Sequence, residues 1–377
     1  MATETRPGEA RVALVPELVL RLTKAGYEVA VQPAAGARAG FDDEAFVAAG
    51  AVVSADLAAA DVVISVQALE PDLLQALRPG TATVSFFSAP QRLGEVALRR
   101  DRKLTSFAME FLPRISRAQS MDALTSQSLV AGYRAAIVAA GRLRQFLPLS
   151  MTAAGTIPPA QVVVLGAGVA GLQAIATAKR LGAVVKGYDV RAASAEEIRS
   201  MGATAIKLDL PALEGAGGYA REMTEERAER QRELLTPYVA AADALITTAA
   251  VPGRRAPMLV TTAMVEQMKL GSVVVDLAAE TGGNVEGAVP GSVIQIGGAQ
   301  VWGGANVPSQ MPMPASRLYA HNVCNVLLLM TSDGSFAPDF DDEIVSGLCV
   351  THQGRVLHAP TVQALEEAVQ APEEGQA

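Results

Sequence analysis

The stretch VVVLGAGVAGLQAIATAKRLGAVVKGYD, residues 162 to 189, constrains this chain more than any other. A Val run, three glycines at 166, 168 and 171, a helical segment and a second Val-rich run read in order as strand, tight turn, helix and strand. In a G-x-G-x-x-G turn of this kind Gly166 permits the turn, Gly168 lets the backbone approach a pyrophosphate, and Gly171 lets the helix pack closely on the strand. The N-terminus of the helix that follows supplies unpaired N–H groups and a positive dipole end to the phosphates. Asp189 ends the second strand, near the ~20-residue spacing at which a carboxylate accepts from the adenosine ribose hydroxyls. A charge there also repels the extra phosphate of NADP(H), so NAD(H) is the expected cofactor. Arg191 stands where an Arg can serve a 2′-phosphate, but Asp189 holds the decisive place.

The alternation of short Val- and Ala-rich runs with helical stretches continues from end to end, the pattern of parallel α/β architecture. Strands are expected near 27–32, 61–66, 81–87 and 104–109, then an Ala-rich helix from about Met121 to Phe146. The Gly/Pro-containing PLSMTAAGTIPPAQ behind that helix reads as a domain joint. Further strands are expected from 161, at 184–190, 243–248, 272–277 and 293–296, followed by the loop-rich GGAQVWGGANVPSQMPMPAS. The helical RLYAHNVCNVLLLM then crosses back, giving the first domain both termini. A chain of 377 residues can bury two cores. The expected fold is α/β: two Rossmann-like, doubly wound parallel-sheet domains separated by a cleft, the first from 1–126 plus 316–377, the second from 127–315.

Several function classes drop out. The longest apolar runs fall far short of the roughly 20 residues that a membrane span needs. The start, MATETRPGEARVALVPEL, has no basic region followed by an apolar one, so a cytoplasmic protein is expected. Cys324 and Cys349 have no metal or redox spacing and read as reduced structural thiols. A net charge of -8 disfavours nucleic acid.

A dehydrogenase acting on an alcohol or amino acid moves a proton as well as a hydride, and needs a base, commonly His or Lys. The only histidines, His321, His352 and His358, lie toward the C-terminus, none in a polar constellation. The richest polar cluster is EFLPRISRAQSMDALTSQS at 110–128, expected at the carboxyl edge of a sheet, where ligands bind in such folds. Arg114, Gln119, Asp122 and Thr125 suit a nicotinamide carboxamide and its ribose. The same residues also read as a capped helix start, with Ser120 or Asp122 as the acceptor and two solvated arginines. GAGGYAREMTEERAERQRELL, at 215–235, reads either as a solvated helix behind a Gly-rich loop or as a lid whose Tyr219 and Met223 fold over cofactor.

Five segments together carry a resemblance: ETRPGEARVALVPE, PRISRAQSMDALTSQ, the glycine segment through Arg191, GGYAREM and ITTAAVPG. They resemble the NAD(H)-binding α subunit of proton-translocating nicotinamide nucleotide transhydrogenase. The glycine segment alone also resembles alanine dehydrogenase, a relative with the same two-domain fold. By resemblance, Arg114 and Asp122 hold the nicotinamide end of NAD(H), within a loop that includes Ser120, Met121 and Thr125, and Gln119 reaches toward NADP(H) on a partner. Val169, the segment Asp189, Val190 and Arg191, Gly218 and Ala250 match NAD contact positions, and Tyr219 matches a mobile-loop tyrosine. The resemblance implies direct hydride transfer to or from NADP(H) on a β subunit, coupled to proton translocation by membrane-spanning subunits. It also implies a homodimer held peripherally at the inner face of the cell membrane through those subunits.

Transfer between two nicotinamide rings exchanges no O–H or N–H proton, which accounts for the missing base; the site has only to hold the rings at about 3–3.5 Å. Arg11 fits both families, but Gln67 stands where alanine dehydrogenases carry a substrate-binding Lys, and VSFFSAP where they carry a catalytic His. The chain also departs from the transhydrogenase pattern at its two ends. It starts at MATET, so the strand that usually precedes this segment is expected to be shortened or missing. It ends without the hydrophobic helices of some α subunits, as in the split form.

Overall fold

The computed structural model describes residues 1–210, 224–250 and 253–370, and the chain divides into two units, Met1–Gln127 with Met311–Ala377, and Ser128–Gln310. Residues 1–127 supply β1 (Ala30–Val31), β2 (Val52–Val53), β3 (Val62–Ile64), β4 (Ala82–Ser85) and β5 (Thr105–Ala108). The second unit supplies β6 (Ser150–Thr152), β7 (Gly155–Ile157), β8 (Gln161–Leu165), β9 (Val184–Tyr188), β10 (Thr204–Ala205), β11 (Ala244–Thr247), β12 (Val273–Asp276), β13 (Val293–Ile296) and β14 (Ala299–Gly303). The return segment adds β15 (Thr331–Ser332), β16 (Ser335–Phe336), β17 (Cys349–His352) and β18 (Arg355–Val356) to the first unit.

The second unit is a seven-stranded sheet in the order β10-β9-β8-β11-β12-β14-β13, parallel except for the edge strand β13. Its central strands are short apolar runs because both faces are covered: β11 and β12 are buried at every residue. Val162, Val164, Ile246 and Val275 face one core, and Val163, Leu165, Leu245 and Val274 face the other. The chain leaves β8 to one side through β9 and returns to the other side as β11. That reversal places a topological switch point between β8 and β11, where open α/β sheets bind ligands.

The first unit holds β18-β17-β5-β4-β3, in which β3, β4 and β5 are parallel while β17 and β18 are antiparallel, so its sheet is mixed rather than purely parallel. The return helix Pro312–Leu329 packs here through Tyr319, Ala320, Val323 and Leu327. The first two residues bond to two strand edges. Ala2 N donates to Ile64 O at 3.0 Å, the Met1 amine donates to Ala30 O at 2.6 Å, and Gln32 N donates to Met1 O at 3.1 Å. Two residues thus bond both to β3 and to the β1–β2 pair.

Other expectations are corrected. The Gly/Pro segment read as a joint forms the β6–β7 hairpin of the second unit, with Met151 73% exposed. The stretch read as loop after 296 contains β14, buried through Val301, Trp302 and Gly303. Glycines flank and end that run and hide its strand character, yet the close approach of Val289 O to Gly303 requires a residue without a Cβ. The Ala-rich helix is Ala123–Arg142, shorter than expected at both ends.

Candidate dinucleotide site

At the switch point, Gly166 leaves β8 with φ +99°, and its N donates to Tyr188 O at 2.8 Å, tying the turn to β9. A Cβ on Gly166 would stand 2.6 Å from Thr248 Oγ1, and one on Gly171 would overlap the Gly166 carbonyl oxygen. Gly168 differs: it caps the Val169–Arg180 helix with φ −73° and ψ −170°, no side chain caps that helix, and a Cβ there would meet nothing within 4 Å. Open space over a helix N-terminus whose N–H groups lack a side-chain acceptor suits a pyrophosphate. The residues present therefore fit a dinucleotide.

The structure brings Asp189 against this turn. Its Oδ2 accepts from Ala167 N at 2.7 Å, and its Oδ1 accepts from Arg191 N at 2.9 Å. The Arg191 guanidinium adds Nε to Oδ1 at 3.0 Å and Nη2 to Oδ2 at 3.2 Å, so the carboxylate is ion-paired rather than a bare charge. Val190 follows, half-buried against the core that includes Tyr188. Across the switch point, Thr248 N donates to Leu165 O at 2.8 Å and Thr248 Oγ1 to Gly166 O at 3.1 Å. The next residues, Ala249 and Ala250, lie on this loop.

Two residues that sequence reasoning missed shape the loop. Asn284 Oδ1 accepts from Ala249 N at 2.9 Å, while its Nδ2 donates to Ala249 O and Pro257 O at 2.8 Å each. Asp276, at the end of β12, accepts from Asn284 N, Val285 N, Ala278 N and Thr247 Oγ1. Burial raises its pKa, against the pull of those donors. The only signal in the sequence is a polar residue closing the Val run VVVD.

In the first unit, the 110–128 loop runs through a short 3-10 turn, Ser116–Met121, into the Ala123–Arg142 helix. Asp122 caps that helix: Oδ1 accepts from Thr125 N at 2.9 Å and Oδ2 from Thr125 Oγ1 at 2.6 Å. Ser120 O accepts from Asn322 Nδ2 at 3.0 Å and Asn325 Nδ2 at 2.8 Å, which anchors the turn to the return helix. Met121 is buried, while Arg114 and Gln119 are exposed. The capped-helix reading is thus realised at Asp122. Arg117, by contrast, is tied down by Asp342 and Glu343 at 2.7–3.3 Å.

Behind this loop lies a buried polar network. Arg11 Nε and Nη2 donate to the Glu9 carboxylate at 2.8 and 2.7 Å, and its Nη1 donates to Gln127 Oε1 at 2.8 Å. Gln67 Nε2 donates to the same Glu9 at 2.8 Å. Burial raises the Glu9 pKa, but the Arg11 hydrogen bonds and charge outweigh it and hold the group near 2. Glu4, which accepts from Val66 N and Gln67 N, is pushed up to about 7 by burial. The histidines serve elsewhere: His352 Nδ1 bonds Thr105 Oγ1, His358 stacks on Phe111, and His321 is exposed. Gly218, Tyr219 and Met223 lie outside the described residues.

Comparison with known proteins places this geometry. The family described as "Alanine dehydrogenase/PNT" matches the chain twice, its N-terminal domain over residues 1–131 and its C-terminal domain over 135–359. The chain belongs to the alanine dehydrogenase/PNT family. Within it, the chain is 46% identical over 369 residues to the first part of the NAD(P) transhydrogenase alpha subunit of Rhodospirillum rubrum, covering 94% of this chain and 96% of that protein. It is 30% identical over 366 residues to alanine dehydrogenase of Mycobacterium tuberculosis, covering 94% and 93%. Among solved structures, the transhydrogenase from Sinorhizobium meliloti superposes with a TM-score of 0.84 at 41% identity, covering 95% of this chain and 98% of that one. An L-alanine dehydrogenase superposes with 0.81 at 25% identity, covering 97% and 98%. The two-domain α/β fold is that of the family, and transhydrogenase α subunits are the more similar branch. No described helix is long and apolar enough to cross a membrane.

Proposed function

We propose that this chain is the NAD(H)-binding component of a proton-translocating NAD(P) transhydrogenase, which exchanges hydride directly with NADP(H) bound on a β subunit. The observation that carries the reading is the closed Glu9–Arg11–Gln67 network. Arg11, which fits both families, is ion-paired to Glu9, and the place of the substrate-binding Lys of alanine dehydrogenases holds a neutral Gln67 bonded to that same Glu9. An amino-acid substrate would find no Lys to pair with its carboxylate and no His to take its proton.

Nicotinamide, when bound, supplies the hydride chemistry, and this chain holds and orients it. Gly166, Gly168, Val169 and Gly171 receive the pyrophosphate, the segment of Asp189, Val190 and Arg191 lies at the adenosine ribose, with Asp189 as its acceptor, and Gly218, Tyr219 and Ala250 complete the contacts. Arg114 and Asp122, with Ser120, Met121 and Thr125 supporting the loop, orient the nicotinamide end, and Gln119 faces the partner's nucleotide. Asp122 can take that role while capping its helix only if one oxygen is shared with Thr125. Membrane-spanning subunits would carry the protons, with this chain peripheral at the cytoplasmic face. Exposed Phe146, Leu149, Met151 and Ile157 on and beside the β6–β7 hairpin support homodimerisation, since a two-stranded hairpin is marginal without a surface to pack on.

The test is a pair of assays on the purified chain: NADPH with an NAD analogue of distinct absorbance, with and without an NADP(H)-binding transhydrogenase component, and L-alanine with NAD. Transfer that requires both components supports the reading. NADH formation from alanine would replace it with the dehydrogenase.

A further inference from the structure

The Asp189 carboxylate is saturated by this chain's own donors. Ala167 N and Arg191 Nη2 occupy Oδ2, and Arg191 N and Nε occupy Oδ1. A carboxylate offers about four lone-pair sites, so four donors fill it. A ribose diol can reach Asp189 only by displacing one of them. Two are main-chain groups, one in the glycine turn and one just after β9, and moving either would undo the turn that the phosphates need. The guanidinium is different: it rides a flexible stem, its side chain is 25% exposed, and Glu197 on the neighbouring Ser194–Ser200 helix is close enough to act on its charge. Its Nη2 also donates to Ala167 O at 3.1 Å, so one group spans the ribose acceptor and the phosphate turn.

We infer that Arg191 is a specificity-determining residue acting as an internal competitor, its guanidinium holding the Asp189 lone pairs that the adenosine ribose needs and giving them up when the dinucleotide binds. This rests on the assignment of NAD(H) to the glycine turn. Two consequences follow. Charge-assisted hydrogen bonds must be exchanged for ribose bonds, so NAD(H) binds more weakly than it would to an unpaired Asp189. A paired Asp189 also repels a 2′-phosphate less than a bare one, and the displaced guanidinium remains within reach of that phosphate. Arg191 therefore narrows the gap between NAD(H) and NADP(H), opposite to the effect of Asp189 alone. A side chain that merely contacted the nucleotide would have the reverse effect on NADH.

The experiment titrates the full chain, as wild type, Arg191→Ala and Arg191→Lys, with NADH and with NADPH, following nucleotide fluorescence and checking each variant by thermal melting. Arg191→Ala should bind NADH about tenfold more tightly, a change of about 1.4 kcal/mol. It should bind NADPH no more tightly, so the ratio of the two affinities widens. Arg191→Lys, which keeps the charge but loses the planar fork, should fall between. If Arg191→Ala binds NADH as the wild type does, or more weakly, the competition is refuted and Arg191 is at most a contact. If the wild type itself binds no NADH, the assignment of the site fails and the inference falls with it.

Discussion

Gly168→Ala separates the nucleotide's need for space from the protein's. Added at Gly168, a methyl meets nothing within 4 Å, and φ −73° suits alanine. Replacing Gly at a compatible site stabilises by roughly 0.4–1 kcal/mol through the unfolded state. Alanine is the poorer N-cap, at a cost of about the same size. The two offset, and the melting temperature should move by no more than about 2 °C. Binding should suffer heavily, because the methyl stands where the backbone must approach the pyrophosphate: a loss of about 100-fold or more, roughly 2.7 kcal/mol. Gly171→Ala is the contrast, since its methyl would stand 2.9 Å from Thr248 Oγ1, besides overlapping Gly166 O, where ordinary contact begins near 3.4 Å. Overpacking of that kind costs about 1–3 kcal/mol and should lower the melting temperature by several degrees. Differential scanning fluorimetry beside NADH titration reads both. Gly168→Ala with unchanged melting and wild-type NADH affinity would refute the phosphate site.

The remaining predictions concern the first unit. Glu9→Leu leaves Arg11 a buried guanidinium stripped of its carboxylate and should cost on the order of 3–5 kcal/mol by urea denaturation; a loss below about 1 kcal/mol would mean that the pair is not closed as described. Glu4, raised from 4.5 to about 7 in the folded chain, binds a proton there that the unfolded chain has released, so its contribution to stability is lost as pH rises from about 4.5 to 7, by on the order of 3 kcal/mol. Glu9, held near 2, acts in the opposite sense, stabilising above 4.5 and failing as pH falls toward 2. Each effect is read as the difference between wild type and Glu4→Gln or Glu9→Gln in urea denaturation from pH 3 to 8, because the buried Met1 amine, lowered from 8.0 to about 5, adds stability over much of the window in which Glu4 loses it; a Glu4→Gln difference that does not change with pH would contradict this. Arg114→Ala should reduce hydride transfer at least 100-fold without shifting the melting temperature; wild-type rates would remove the loop from the site.

What could be read from the sequence was what is locally determined. Gly166 is required by its own φ of +99°, and Gly171 by overlap with the Gly166 carbonyl oxygen of the same turn, so their spacing carries the geometry. The Val-rich strands declare themselves because burial on both faces leaves no polar alternation. Asn284 and Gln127 were missed because their bonds reach 35 and 116 residues along the chain, beyond any local pattern. The Arg191–Asp189 pair had both partners in view, but which of them faced a ligand depended on the path of the turn after β9. At Asp122, helix cap and ligand contact demand the same residue type, and only the structure shows that the cap is made.

The most direct test of the central claim is isotopic. NADPH carrying deuterium at its transferred position is mixed in ordinary water with this chain, an NAD analogue and the NADP(H)-binding component, and the product is examined by mass spectrometry. Direct exchange between two nucleotides predicts that the label appears in full in the reduced analogue, only when both proteins are present, and with no need for alanine. Loss of the label to solvent, or reduction that depends on an amino acid rather than on the partner, would contradict the account.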